Sequence, residues 1–139
     1  MLGRFHNYYT FRYHLTRVFG PNTQPTIAEL HDLWAVVRHN DGFRVFSHLL
    51  NYLEERSSFA SRWVDALRQA SIPIQMIYGP FDPINPEHRF VPYFKTNLPH
   101  HRLDVLDSQI GHYPNMEAPF KAVDLLYDFI VQHDFGTEK

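Results

Sequence analysis

The sequence predicts an α/β fold in which helices accompany a short parallel sheet. Residues 72–78 form an apolar run, IPIQMIY, that ends at Gly79 and Pro80. A short apolar run bounded by turn residues is typical of a strand in a covered parallel sheet. A second short run at residues 103–106 has the same character, and helical patterns lie between the two runs and after the second. This alternation of strands and helices indicates the α/β class.

The first 70 residues are predicted to be helical, with no strand among them. Residues 1–19 mix aromatic side chains with Arg and His and fit a helix face only loosely, so we expect partial helix there. Thr26 followed by Glu29 forms a capping box, and apolar residues at spacings of three and four then predict a helix that ends near residues 40–42. Two further helices are predicted, at about residues 43–55 and 59–69.

Asp82 follows the first predicted strand, in the loop where an open α/β sheet places its functional groups. Pro83 and Pro86 restrict the backbone of this loop, so we expect the carboxylate to have one fixed position. Residues 86–98 are predicted to form a helix that begins at proline, with a break or kink at Pro92.

The second strand is followed by a turn at residues 107–111 and then by His112. The clearest helix of the chain is predicted at residues 118–132, where Pro119 lies near the start and a broad apolar face should pack on the sheet. Residues 133–139 are expected to be a frayed tail.

A carboxylate after one strand and a histidine after the next is the order in which the acid and the base of an α/β-hydrolase follow its nucleophile. With the motifs YGPFDPINP and IGHYPNMEAP, the sequence resembles the C-terminal third of α/β-hydrolases, in a branch related to epoxide hydrolases. The segments RVFGPNTQPTIAELHDLWAVVRHNDG and FASRWVDAL resemble the helical lid of these enzymes. The resemblance implies a C-terminal fragment of an α/β-hydrolase fold, with residues 1–70 as a partial lid (cap) and residues 71–139 as the C-terminal part of the core, including its last two parallel strands.

The resemblance also implies a function for the complete protein, which is hydrolysis of a small apolar ester or epoxide-like substrate. His112 would act as the general base on the hydrolytic water, and Asp82 would orient the imidazole and offset its charge. Trp34 and Tyr52 are candidates for substrate contact, although an aromatic side chain on an apolar helix face is more often part of the core. For the complete protein, the resemblance implies an association with the endoplasmic reticulum.

The sequence contains no GxSxG motif and no His-Asp-aromatic-Gly run, which is the equivalent elbow with an Asp nucleophile. We therefore expect the nucleophile, Asp or Ser, to lie outside this chain, and the chain alone to be inactive. The alternative is a non-catalytic product whose helical part serves as a protein-interaction surface.

Asp82 and His112 each have an ordinary explanation, because Asp before Pro and His after Gly are common in loops. Their order along the chain favours the catalytic interpretation. Other acidic residues lie near His112. Asp104 should face the opposite side of its strand from its neighbours, and Asp107 suits the start of a turn, so neither displaces Asp82. Glu117 is the third such residue.

Composition excludes several other classes of function. With 139 residues and 44% hydrophobic residues, the chain is long enough for one core. Its net charge of −2 and its scattered Lys and Arg give no footprint for nucleic acid. The absence of cysteine excludes disulfides, and without an HExxH or similar motif we expect no metal or other cofactor. No apolar run reaches the roughly 18 residues of a membrane span.

Overall fold

The computed structural model describes residues 7–133, without the side chains of Phe46 and Ser47. The ends of both expected units, and the expected tail after His133, lie outside the described residues. The elements follow one another as α1 (Tyr8–Thr16), α2 (Ile27–Arg38), a 3-10 segment (His39–Arg44), α3 (Phe46–Leu49), α4 (Tyr52–Arg68), β1 (Gln75–Tyr78), α5 (Glu87–Asn97), β2 (Arg102–Val105), α6 (Pro114–Glu117) and α7 (Pro119–His133).

The predicted capping box at the start of α2 is confirmed. The Glu29 N–H donates to Thr26 Oγ1 at 3.2 Å, and the Thr26 N–H donates to Glu29 Oε2 at 2.7 Å. Two N–H groups that the helix itself cannot satisfy are thereby paired. Leu30 on the next turn is buried, and the rings of Phe11 in α1 and Trp34 in α2 lie 5.3 Å apart. The cap therefore fixes a helix whose inner face packs on α1.

The two helices predicted at residues 43–55 and 59–69 differ from those observed. After α2 the backbone breaks at Asn40 and Asp41, whose φ angles of 50° and 58° are left-handed. Asn and Asp tolerate this conformation better than most residues do. The expected interruption at residues 56–58 is absent, and α4 is one helix of 17 residues. That prediction was wrong because residues 56–58 contain no glycine or proline, and serine only weakly disfavours a helix.

The two predicted strands are confirmed as a parallel pair, with Gln75 opposite Arg102 and Tyr78 opposite Val105. β1 is shorter than the apolar run from which it was predicted. Pro73 has no N–H to donate, which limits its use in a strand ladder. Pairing begins where the Arg102 N–H donates to Ile74 O at 3.0 Å.

The helix after β1 continues through Pro92, where the sequence predicted a break or kink. α5 runs from Glu87 to Asn97 with Pro92 inside it. An interior proline costs a helix about 3 kcal/mol. Packing on both sides offsets that cost, because Phe90 stacks on Tyr78 with ring centroids 4.6 Å apart and Phe94 is buried.

α7 packs on the sheet through part of its apolar face. Phe129 is buried, and the side chain of Gln75 in β1 donates to Leu125 O at 3.0 Å. Other apolar residues of α7 are exposed, including Phe120 and Val123. Among the described helices, none is both long and apolar enough to cross a membrane. The buried apolar residues are Phe11, Phe19, Leu30, Tyr78, Phe94, Leu98, Leu106, Ile110 and Phe129.

Three glycines bring three separate segments of backbone into contact. A Cβ atom added to Gly79, just after β1, would lie 2.1 Å from Gly111 O. One added to Gly111 would lie 2.5 Å from Val18 O, and one added to Gly20 would lie 1.6 Å from Gln109 O. We call this set of close approaches the glycine contact. It joins the loops after β1 and β2 to the turn that follows α1.

We predict that Gly79→Ala destabilises the protein by about 1–3 kcal/mol, the range typical of overpacking, because the added methyl group meets a backbone carbonyl that cannot rotate away. The measurement is urea unfolding followed by tryptophan fluorescence. Ser108→Ala is the control, since Ser108 is exposed in the loop after β2 and surface changes stay within about 0.5 kcal/mol. Equal unfolding free energies for Gly79→Ala and the wild type would contradict the close approach.

Candidate active site

Asp82 lies at the carboxyl end of β1 and is the one buried charged side chain within residues 7–133, with 6% of its surface exposed. The Asp82 N–H donates to Gly79 O at 3.1 Å, which closes a turn directly after the strand. The neighbouring Phe81 N–H donates to Ile110 O at 2.8 Å, so this loop is bonded to the loop after β2. The carboxylate is therefore placed by backbone contacts on both sides.

The two carboxylate oxygens of Asp82 accept hydrogen bonds from its own loop. The Ile84 N–H donates to Oδ1 at 2.8 Å, and the Asn85 side chain donates to Oδ2 at 3.0 Å. Pro83, which lies between Asp82 and Ile84, limits the backbone, as expected from the sequence. Tyr78 completes the loop, since its hydroxyl donates to Asn85 O at 2.6 Å.

His112 follows β2 and lies against Asp82. The distance from His112 Nδ1 to Asp82 Oδ2 is 2.9 Å. The contact is close, but its atoms are not aligned as a straight hydrogen bond. The His112 N–H donates to Val18 O at 2.8 Å, which fixes the backbone. One third of the imidazole surface remains exposed. The structure thus brings the two predicted residues together and leaves part of the imidazole accessible.

The pKa of Asp82 reflects two opposing effects. Burial by itself would raise the pKa of this carboxyl group, because a charge is less stable away from water. The hydrogen bonds from Asn85 and Ile84 and the close imidazole of His112 favour the ionised form and together outweigh burial, so the pKa of Asp82 lies below its ordinary value of 3.8. Asp82 is therefore ionised at neutral pH, where it can accept a proton-bearing nitrogen of the imidazole.

Two tyrosines beside the pair keep their protons. Burial raises the pKa of Tyr78, and the negative charges of Asp82 and Glu87 raise it further. Burial also raises the pKa of Tyr113, with a smaller effect from Asp82. Both hydroxyl groups thus stay neutral at physiological pH. The Tyr113 ring stacks on Phe19 at 5.0 Å between centroids and meets the imidazole edge-on at 5.1 Å.

A cavity of about 470 Å³ opens beside His112. Its polar lining includes His14, Tyr52, Arg56 and Asn85. The rest of the lining is mostly apolar and comes from the helices α1, α2, α4 and α6 and from the segments that follow α1, β1 and β2. It includes Phe11, Leu15, Leu33, Val37, Leu53 and Met116. A small molecule in this cavity would be surrounded by apolar side chains and would reach the imidazole.

The structure separates the other residues singled out in the sequence. Tyr52 lines the cavity that His112 also lines, whereas Trp34 lines a different one with Tyr8 and Arg38. Trp34 therefore lies apart from the pair and packs on α1, as the core interpretation of an aromatic residue on a helix face suggests.

The acidic alternatives to Asp82 have other contacts. Asp104 Oδ2 accepts from Arg102 Nε and from Gln75 Nε2, each at 2.7 Å. Asp107 Oδ1 accepts from the Gln109 N–H at 3.0 Å, which confirms its place at the start of a turn. Neither carboxylate is the partner of His112.

Sequence reasoning missed Asn85, Tyr113 and the part that Glu117 plays. The spacing of Asp82 and Asn85 in a proline-rich loop was a usable signal, because a carboxylate accepts the hydrogens of a nearby amide. Glu117 was noticed only as another acid near the histidine. Two of its four hydrogen bonds come from residues 94 and 97 positions away, and these had no sequence signal. Among residues 7–133, no group of His, Asp and Glu side chains could hold a metal ion.

The chain is similar over most of its length to curated proteins. It is 46% identical over 130 residues to the mesoderm-specific transcript protein of Mus musculus and 43% identical over 130 residues to the homologous Homo sapiens protein. These alignments cover 94% of this chain and 39% of either relative, so the chain spans about two fifths of their length. Epoxide hydrolase EphH of Mycobacterium tuberculosis is 37% identical over 65 residues, which cover 46% of this chain and 30% of EphH. No family model and no solved structure matches the chain.

We predict that Asp82→Asn destabilises the protein by about 1–3 kcal/mol at neutral pH, because two donors bonded to a buried carboxylate lose part of a charged acceptor. The wild type should also lose stability as the pH falls below 3.8. The folded carboxyl group has the lower pKa, so the unfolded chain binds more protons there. The variant should lack this part of the acid sensitivity.

The measurement is urea unfolding between pH 3 and pH 7, within the range where carboxyl groups titrate. Asp128→Asn on exposed α7 is the control and should leave both the stability and its pH profile unchanged. An Asp82→Asn profile parallel to that of the wild type would refute the ionised state of this carboxylate.

Proposed function

Since this chain resembles the mesoderm-specific transcript proteins over nearly its whole length, we propose that it contributes the acid and the base of a hydrolase active site. The observation that carries the proposal is the 2.9 Å contact between Asp82 Oδ2 and His112 Nδ1. The two residues follow neighbouring parallel strands, which is where α/β-hydrolases place these groups. The similarity to a protein named as an epoxide hydrolase supports the same class.

The mechanism follows from the ionised state of Asp82. A carboxylate beside Nδ1 favours the tautomer in which that nitrogen carries the proton, and this leaves the lone pair on Nε2. His112 then takes a proton from water as the water attacks a covalent intermediate. The imidazolium that forms is stabilised by the carboxylate charge. The low pKa of Asp82 keeps that charge in place at neutral pH.

The cavity indicates the class of substrate. Apolar side chains form most of its lining, and its volume of about 470 Å³ suits a small molecule. We propose a small apolar ester or epoxide-like compound as substrate. Tyr52 is a candidate contact in this cavity, where its hydroxyl could donate a hydrogen bond to a substrate oxygen.

In this proposal the architecture is that of the C-terminal part of an α/β-hydrolase. Residues 1–70 form part of the lid, and residues 71–139 form the end of the core with its last two strands. The nucleophile comes from residues outside this chain, since the sequence has neither elbow motif. An association of the complete protein with the endoplasmic reticulum stays a prediction.

We predict that His112→Ala abolishes turnover of an ester or epoxide probe by the complete protein, because no other group then activates water. The measurement is single-turnover mass spectrometry of the protein after mixing with the probe. If the nucleophile is an Asp, its attack needs no proton transfer, so the variant should accumulate the covalent ester. If it is a Ser, the first step should fail as well.

His100→Ala provides a matched control, since His100 is an exposed histidine in the turn before β2. It should retain wild-type turnover. Residues 1–139 alone should hydrolyse neither probe, because no nucleophile is present. Wild-type turnover by the His112→Ala protein, or robust hydrolysis by the chain alone, would overturn the assignment.

A second candidate function is a non-catalytic protein-interaction module. One observation favours it, which is that α4 buries none of its residues and that Phe59, Trp63 and Leu67 on one face are each more than 40% exposed. Such a face can bind a partner protein. This function would be favoured if the complete protein neither hydrolysed the probes nor was labelled by them, and if its His112→Ala variant behaved identically.

A further inference from the structure

Glu117 is a carboxylate that the proposed reaction does not use, yet it makes more hydrogen bonds than Asp82. Its Oε2 atom accepts from the Gly111 N–H at 2.8 Å, and its Oε1 atom accepts from the Tyr113 N–H at 3.0 Å. These two amides flank His112 on both sides. The carboxylate thereby fixes the backbone immediately before and after the proposed base.

The same carboxylate reaches across the chain to the turn after α1. Oε2 also accepts from the Gly20 N–H at 2.7 Å and from Thr23 Oγ1 at 2.5 Å. A carboxylate offers about four acceptor positions, and Glu117 has four donors. All four are neutral N–H or O–H groups of residues that lie 94 to 97 positions away or within six positions.

We propose that Glu117 is a positioning residue that holds the His112 loop and the turn after α1, within the proposed lid, as one unit. This inference rests on the proposed function for its catalytic meaning. The imidazole pose depends on the backbone on both sides of His112, and Glu117 bonds both sides. The glycine contact makes this arrangement possible, because a side chain on Gly111 would meet Val18 O and Gly20 N.

Charge strengthens the arrangement. Hydrogen bonds from neutral donors to an ionised acceptor are about twice as strong as those between neutral groups. A Gln side chain at position 117 has nearly the same shape, but its amide group would present hydrogens to N–H donors. Glu117→Gln therefore removes part of the acceptor capacity and sets donors against each other, while the side-chain volume is kept.

The test compares Glu117→Gln with two further variants in the complete protein. Glu29→Gln is the matched control, because Glu29 is a carboxylate that lines a cavity together with Glu117 but accepts from Thr26 at a helix cap. Thr23→Val removes only the hydrogen bond from the Thr23 hydroxyl to Glu117. The readouts are the imidazole ¹⁵N resonances of His112, assigned by comparison with His112→Ala, and kcat and KM for the ester probe.

Glu117→Gln should shift the His112 resonances and lower kcat by about 100-fold with a smaller change in KM, as expected when a catalytic group is misplaced by about 1 Å. Thr23→Val should leave the His112 resonances and kcat unchanged, because Glu117 keeps both hydrogen bonds to the amides beside His112. Glu29→Gln should change neither the resonances nor kcat. Wild-type resonances and wild-type kcat in Glu117→Gln would overturn the proposal.

The readouts distinguish a failure of the Glu117 proposal from a failure of the proposed function. Shifted His112 resonances in a protein without turnover would leave Glu117 as the positioning residue and would remove the proposed function. Turnover by the wild type together with an unchanged kcat in Glu117→Gln would keep the proposed function and remove the positioning role of Glu117. If Glu117→Gln does not fold, hydrogen exchange in the wild type decides, because the Gly20, Gly111 and Tyr113 amides should be protected together. Unprotected Gly111 and Tyr113 amides would overturn the proposal.

Discussion

The close approach of three backbone segments at Gly79, Gly111 and Gly20 is the constraint on which the site depends. Asp82 comes three residues after the first of these glycines and His112 directly after the second. Because a Cβ atom at any of the three would meet a carbonyl, the segments could not pack this closely with other residues. The 2.9 Å contact between the carboxylate and the imidazole is thus a consequence of backbone packing.

Local signals in the sequence predicted much of this arrangement. The capping box at Thr26, the two parallel strands, and the placement of Asp82 and His112 after them depend on nearby residues, and sequence patterns report such relations directly. The continuity of α5 through Pro92 depends on packing that offsets the cost of an interior proline, whereas the length of α4 depends on serine propensities too weak to mark a helix end. The separation of Trp34 from His112 and the long-range contacts of Glu117 depend on tertiary packing, so no local sequence pattern predicts them.

Two carboxylates near His112 have different tasks because they have different neighbours. Asp82 is buried, contacts the imidazole, and accepts from Asn85 and Ile84 in its own loop. Glu117 accepts four hydrogen bonds from neutral groups of the backbone and of Thr23, three of them at Oε2 and one at Oε1. Proximity in sequence to His112 made Asp104, Asp107 and Glu117 alternatives, whereas the order of the strands favoured Asp82, and the geometry agrees with the strands.

Contacts among the described residues place Asp82 and His112. Asp82 is held by its own loop and by the loop after β2, and His112 by Val18 and by the residues that Glu117 bonds. Exposed apolar side chains on α7, such as Phe120, lie on a different element. The pose of the pair is therefore a property of these residues, whereas the bond cleavage proposed above would need a nucleophile in addition.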